Sequence, residues 1–79
     1  MTKQEQEKYK DLKPVAVFPI NSYDGVEILT IEYGIEDYVI VRYNQGNIHR
    51  KRIYTSTKNR NYFNIYDMRI YLDECLKVD

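Results

Sequence analysis

The stretch Tyr38-Val39-Ile40-Val41-Arg42-Tyr43-Asn44-Gln45-Gly46-Asn47-Ile48-His49-Arg50-Lys51-Arg52-Ile53-Tyr54-Thr55 reads as a β-hairpin. Both arms, 38–43 and 48–55, are rich in β-branched and aromatic residues that fit a pleated surface. Asn44-Gln45-Gly46-Asn47 between them supplies the side chains that tolerate the positive φ of a tight reversal, with Gly46 the residue expected there. In the second arm Ile48, Arg50, Arg52 and Tyr54 share one face, while His49, Lys51, Ile53 and Thr55 share the other. Cations therefore project from both faces, which argues against a central, buried strand.

Upstream the same alternation of short apolar runs and turn residues continues. Val15–Phe18 forms a first run that Pro19 should end or confine to an edge, Asp24-Gly25 marks a turn, Val26–Tyr33 forms a second run, and residues 34–37 connect to the hairpin. Residues 1–13 are rich in Gln, Glu and Lys, and Pro14 disfavours helix at Lys13, so they read as a short helix or arm preceding a single β-rich domain over 14–79. Downstream, Phe63, Ile65, Met68, Ile70 and Leu72 fit the inward positions of a second hairpin turning near Tyr66-Asp67, with a short helix after it. A single helix over 64–78 is the rival, because Ile65, Met68, Leu72, Cys75 and Leu76 also fit one helical face. The expected fold class is α+β, mainly β: a small antiparallel meander of four to six strands with a short N-terminal helix or arm and a short C-terminal helix.

Length and composition bound the function. At 79 residues with 43% hydrophobic side chains, the chain makes one small domain, and a domain of this size buries only about 60% of its unfolded surface. One cysteine excludes an intrachain disulfide. The N-terminus lacks the apolar run of a secretory leader and no stretch approaches a membrane span, so the sequence points to a cytoplasmic protein without membrane contact. Twelve basic residues balance twelve acidic ones, yet they are segregated: 14–41 holds five acidic residues and no basic one, and 42–60 holds six basic and no acidic. The two blocks either pair across neighbouring strands or form separate patches that would steer a partner or drive self-association.

Catalytic material is sparse. One histidine, His49, and one cysteine, Cys75, cannot build a structural zinc site. The carboxylates lack calcium-loop spacing, three scattered glycines make no phosphate loop, and one histidine among scattered serines gives little material for a nucleophile, base and orienter. His49 beside three cations reads as a strand-surface residue, and Cys75 as a small core residue. No cofactor, no metal and no enzymatic activity are expected.

Tyrosine is the excess that matters, because the seven tyrosines in or beside predicted strands (Tyr33, Tyr38, Tyr43, Tyr54, Tyr62, Tyr66 and Tyr71) exceed what so thin a core can hide, and exposed tyrosine is a favoured interface residue. The leading expectation is a nonenzymatic protein-interaction module with Tyr38, Tyr43 and Tyr54 at its interface, its partner a host or phage protein or a second copy of the chain. The alternative is nucleic-acid binding through 42–63, in which Arg42, Arg50, Lys51, Arg52, Lys58 and Arg60 meet phosphates and Tyr62 stacks on bases.

Ile, Lys, Asn, Tyr and Phe together supply 33 residues against 11 for Gly, Ala, Arg and Pro, the bias that AT-rich codons produce. With that composition, the segment Arg60-Asn61-Tyr62-Phe63 through Arg69-Ile70-Tyr71-Leu72-Asp73-Glu74-Cys75 resembles the strand, turn, strand ending of small accessory proteins of phages and mobile elements of low-GC Gram-positive bacteria. The resemblance implies a binding protein that modifies a host process, inhibition of a defence system such as CRISPR among the possibilities. It carries no functional site with it.

Overall fold

The computed structural model describes residues 2–20 and 23–78. Helix α1 spans Lys3–Tyr9, and its first turn is closed by Thr2, whose hydroxyl accepts the Glu5 backbone N–H at 3.2 Å, the arrangement of a capping box. Eight strands follow: β1 (Ala16–Ile20), β2 (Tyr23–Glu32), β3 (Tyr38–Tyr43), β4 (Asn47–Arg52), β5 (Tyr54–Thr55), β6 (Asn61–Ile65), β7 (Met68–Tyr71) and, after a 3-10 turn at Leu72–Glu74, β8 (Leu76–Lys77). They form two antiparallel sheets, one of five strands ordered β4-β3-β2-β1-β8 and one of three ordered β5-β6-β7. The mainly-β fold class expected from the pattern is the one observed.

The larger sheet carries a layer on each face. Val26, Ile28, Val39 and Val41 point one way and meet Phe63, Ile65 and Ile70 of the smaller sheet in the main core, where every one of the seven is at most 2% exposed. Leu29, Ile40 and Ile48 point the other way and bury Tyr9 of α1. A bulge in β2 at Leu29, between Ile28↔Val41 and Thr30↔Ile40, sets the consecutive Leu29 and Thr30 on the α1 side and so returns Ile31 to the main core without breaking the pairing with β3. Because both faces of β3 are covered, its Val-Ile-Val run is continuously apolar, whereas β4 at the sheet edge tolerates its cations.

The second arm of the hairpin changes sheets midway. Ile53 leaves the β3 ladder, its N–H donates to the Asp37 carbonyl at 2.8 Å, and its side chain packs on the main core; the chain then enters the smaller sheet at Tyr54. The β3–β4 turn has positive φ at Asn44, Gln45 and Gly46 (54°, 66° and 86°), with Asn47 Nδ2 donating to the Asn44 carbonyl at 2.8 Å.

Two details depart from the sequence expectation, and one open alternative is resolved. Asp24-Gly25 lies inside β2 rather than at a turn; Gly25, at φ +90°, instead permits a close crossing, since a Cβ there would come within 2.8 Å of the Phe18 carbonyl oxygen. Pro19 lies within β1, but at the irregularity between Phe18 and Ile20 and beyond the two residues that β8 covers, so neither neighbour calls on its missing N–H. The C-terminal segment is a hairpin, then a single 3-10 turn and β8, and the one-helix rival is excluded.

The acidic and basic blocks pair across strands. Glu27 binds Arg42 at 2.6 Å, Glu32 binds Arg50 at 3.0 Å and Glu36 binds Arg52 at 3.4 Å, all on the face that carries α1. Arg42 also donates to the carbonyls of Lys10 and Leu12, and Arg50 reaches Glu5 at 2.6 Å, so both arginines tie the N-terminal segment to the sheet. The Tyr9 hydroxyl donates to Glu32. That hydrogen bond, with Arg50 adding to it against the opposing cost of burial, holds the Glu32 carboxyl below its ordinary value of 4.5.

A carboxyl lowered on folding stabilises the fold above its unfolded pKa, and the contribution is lost as pH falls through the folded pKa. Glu32→Gln is therefore expected to cost about 1 kcal/mol at neutral pH, modest because the side chain is 35% exposed. The difference from wild type should narrow as pH falls below the ordinary carboxyl range and close once the folded carboxyl is protonated. Urea melts of both proteins across pH 3 to 7 measure it, and a gap constant with pH would contradict the assignment.

Candidate interaction surface

The β6–β7 turn at Tyr66-Asp67 sets the register Ile65↔Met68, Asn64↔Arg69, Phe63↔Ile70 and Tyr62↔Tyr71. Since alternate pairs face opposite ways, the buried Phe63↔Ile70 pair places Tyr62↔Tyr71 and Asn64↔Arg69 on the outer face. Pairing of β5 with β6 sets Tyr54 opposite Tyr62. One row of three tyrosines thus crosses the outer face of the smaller sheet, with ring centroids 5.7 Å apart for Tyr54 and Tyr62 and 5.6 Å apart for Tyr62 and Tyr71.

Three arginines lie over these rings: Arg60 at 3.9 Å from the Tyr71 centroid, Arg69 at 4.1 Å from Tyr62 and Arg52 at 5.5 Å from Tyr54. Cation–π contacts at this range contribute about 0.5–1 kcal/mol each at exposed sites. Arg60 is placed by the preceding loop, in which Ser56 Oγ accepts the backbone N–H groups of Lys58 and Arg60. It is neutralised by Asp73 at 2.7 Å and Glu74 at 2.9 Å, which raises its own pKa and lowers that of Asp73. Arg69 donates to the Tyr71 hydroxyl at 3.3 Å.

The structure does not bring Tyr38, Tyr43 and Tyr54 together. Tyr38 donates to Glu36 at 2.8 Å, next to the ion pairs on the α1 side, and that carboxylate raises its pKa. Tyr43 packs on His49 at 4.6 Å and edge-on to Tyr66 at 6.3 Å, and burial raises its pKa. Only Tyr54 belongs to the aromatic row. Tyr62, assigned above to nucleic-acid contact, stands at its centre. Tyr71 and Arg69 complete it and were missed; mirroring the chain about Tyr66-Asp67 places both of them opposite β6 residues of the outer face.

The basic stretch 42–63 is likewise divided. Arg42, Arg50 and Arg52 are held by carboxylates on the α1 side, Lys51 alternates to the opposite face of β4, and Lys58 and Arg60 lie beside the smaller sheet. His49 is lowered in pKa chiefly by burial and secondarily by Lys51. Cys75 packs on the main core, its Sγ 3.6 Å from the Tyr71 carbonyl, and burial pushes its thiol up, away from thiolate reactivity. Among the described residues no three His, Cys, Asp or Glu side chains gather closely enough to hold a metal ion, and no helix is long and apolar enough to cross a membrane. A separate open pocket of about 310 Å³, lined by Gly25, Val26, Tyr43, Ile65, Tyr66 and Met68 among others, lies between the β3–β4 and β6–β7 turns.

No protein-family profile, curated protein or solved structure matches this chain.

Proposed function

We propose that the protein is a nonenzymatic protein-interaction module whose contact surface is the outer face of β5-β6-β7. The row Tyr54, Tyr62 and Tyr71 on the outer sheet face, with Arg60 and Arg69 over it and Arg52 approaching its Tyr54 end from β4, carries this reading. Tyrosine and arginine are the residue types that interface centres concentrate, and here their side chains are already ordered by mutual stacking, which lowers the entropic cost of docking. In keeping with the resemblance noted above, the partner is a host protein and the consequence is modulation of a host process, a defence system among the candidates.

Nucleic-acid binding is the weaker reading, because Arg52 and Arg60 on this face already hold Glu36, Asp73 and Glu74. Size-exclusion chromatography with light scattering, run with the protein alone and with a single-stranded oligonucleotide at low and moderate salt, separates the two. The expected result is no complex with the oligonucleotide at moderate salt. A stable complex there, weakening steeply as salt rises, would replace the proposal with the nucleic-acid reading.

A further inference from the structure

The chain has five arginines, and four are spent on its own carboxylates: Arg42 on Glu27, Arg50 on Glu5 and Glu32, Arg52 on Glu36, and Arg60 on Asp73 and Glu74. Arg69 is the exception. Among the described residues its guanidinium is in ion-pair contact with no carboxylate; it stacks on Tyr62 and donates one N–H to the Tyr71 hydroxyl. The aromatic contacts hold the group against the rings while leaving it without a carboxylate partner and most of its five donors unused. It lies on an exposed position next to the centre of the tyrosine row, where a planar fork is suited to receive a carboxylate through two parallel hydrogen bonds.

Resting on the protein-binding reading above, we propose that this face recognises a protein segment bearing an Asp or Glu side chain next to an aromatic or aliphatic one. Arg69 receives the carboxylate, and the apolar neighbour lies against Tyr54 and Tyr62. Charge complementarity selects this occupant. One guanidinium without a carboxylate of its own, stacked beside the apolar row, matches one carboxylate. A nucleic-acid strand brings a phosphate with every nucleotide, and the phosphates after the first would meet Arg60 and Arg52 together with the carboxylates that already neutralise them.

The test uses two end-blocked hexapeptides, one alternating Asp and Phe and the other alternating Asn and Phe, titrated into the intact protein at moderate salt by isothermal calorimetry. The Asp peptide should bind at least 5-fold more tightly than the Asn peptide. That advantage should vanish in Arg69→Gln and persist in Lys13→Gln, an equal charge loss in the N-terminal segment. Equal affinity for the two peptides would overturn the carboxylate assignment while leaving protein binding in place, as would an advantage that survives Arg69→Gln. Failure of both peptides to bind also overturns it, and tighter binding of an oligothymidylate than of either peptide would bring down the protein-binding reading itself. Doubling of the mass in light scattering, abolished by Arg69→Gln, would assign the face to a second copy of the chain and likewise overturn the proposal.

Discussion

Replacing Phe63 with alanine is expected to cost about 3–5 kcal/mol, the range for truncating a buried aromatic ring. Phe63 is the largest of the fully buried side chains and is wholly inaccessible to solvent. It enters the main core from the smaller sheet against Val26, Ile28, Val39 and Val41 of the larger one. With Ile65 and Ile70 still seated in the same core, the two sheets cannot simply close over the space a missing ring would leave. At roughly 0.05–0.15 kcal/mol of stability per residue, a chain of this length holds only about 4–12 kcal/mol in total, so this one substitution removes a large share of it or all of it. A urea melt followed by far-ultraviolet circular dichroism measures the loss. A cost below about 1.5 kcal/mol would mean that the two sheets do not enclose the ring as described. The tyrosine row depends on the same packing, because β6 presents Phe63 inward and Tyr62 outward from adjacent positions.

What was legible in the sequence was mostly local. The arms of the β3–β4 hairpin, its turn, the Tyr66-Asp67 reversal and the edge character of β4 all follow from residue type and spacing over a few positions. Thr2-Lys3-Gln4-Glu5 also carried a capping-box signature that would have favoured helix over arm. The division into two sheets was not legible, because no Gly, Pro or other turn residue interrupts 48–55, and the Ile53 side chain packs on the main core while its backbone changes partners. Strand β8 is two residues long and exists only because β1 offers an edge, so local propensity says nothing of it. The charge blocks left pairing and separate patches equally open until the register set Glu27 beside Arg42 and Glu32 beside Arg50. The aromatic row was half legible. The turn position implies Tyr62↔Tyr71, but Tyr54 joins only through the short β5–β6 pairing across the Ser56–Arg60 loop.

That row leads to the second large effect. On the proposed protein-binding reading, Tyr62→Ala should weaken binding of the partner by about 2 kcal/mol or more, roughly 30-fold, as loss of a central aromatic anchor does. Tyr62 is the only member of the row with a ring on either side and a guanidinium above it, so its removal separates Tyr54 from Tyr71 and releases Arg69 from its stacking surface. The fold should survive. Tyr62 lies on the outer face, and the two cross-strand contacts it gives up are each about 0.2–1 kcal/mol, well below the cost at its buried neighbour Phe63. Partner capture with wild type and variant in parallel, followed by titration of whichever protein is retained only by wild type, measures the loss, with thermal melts confirming that the variant is folded. Tyr66→Ala is the matched control: Tyr66 is 77% exposed at the β6–β7 turn and outside the row, and its removal should change affinity less than about twofold, roughly 0.4 kcal/mol. If Tyr66→Ala abolishes capture and Tyr62→Ala does not, the contact surface lies instead at the pocket between the two turns, where Tyr43 and Tyr66 meet edge to face.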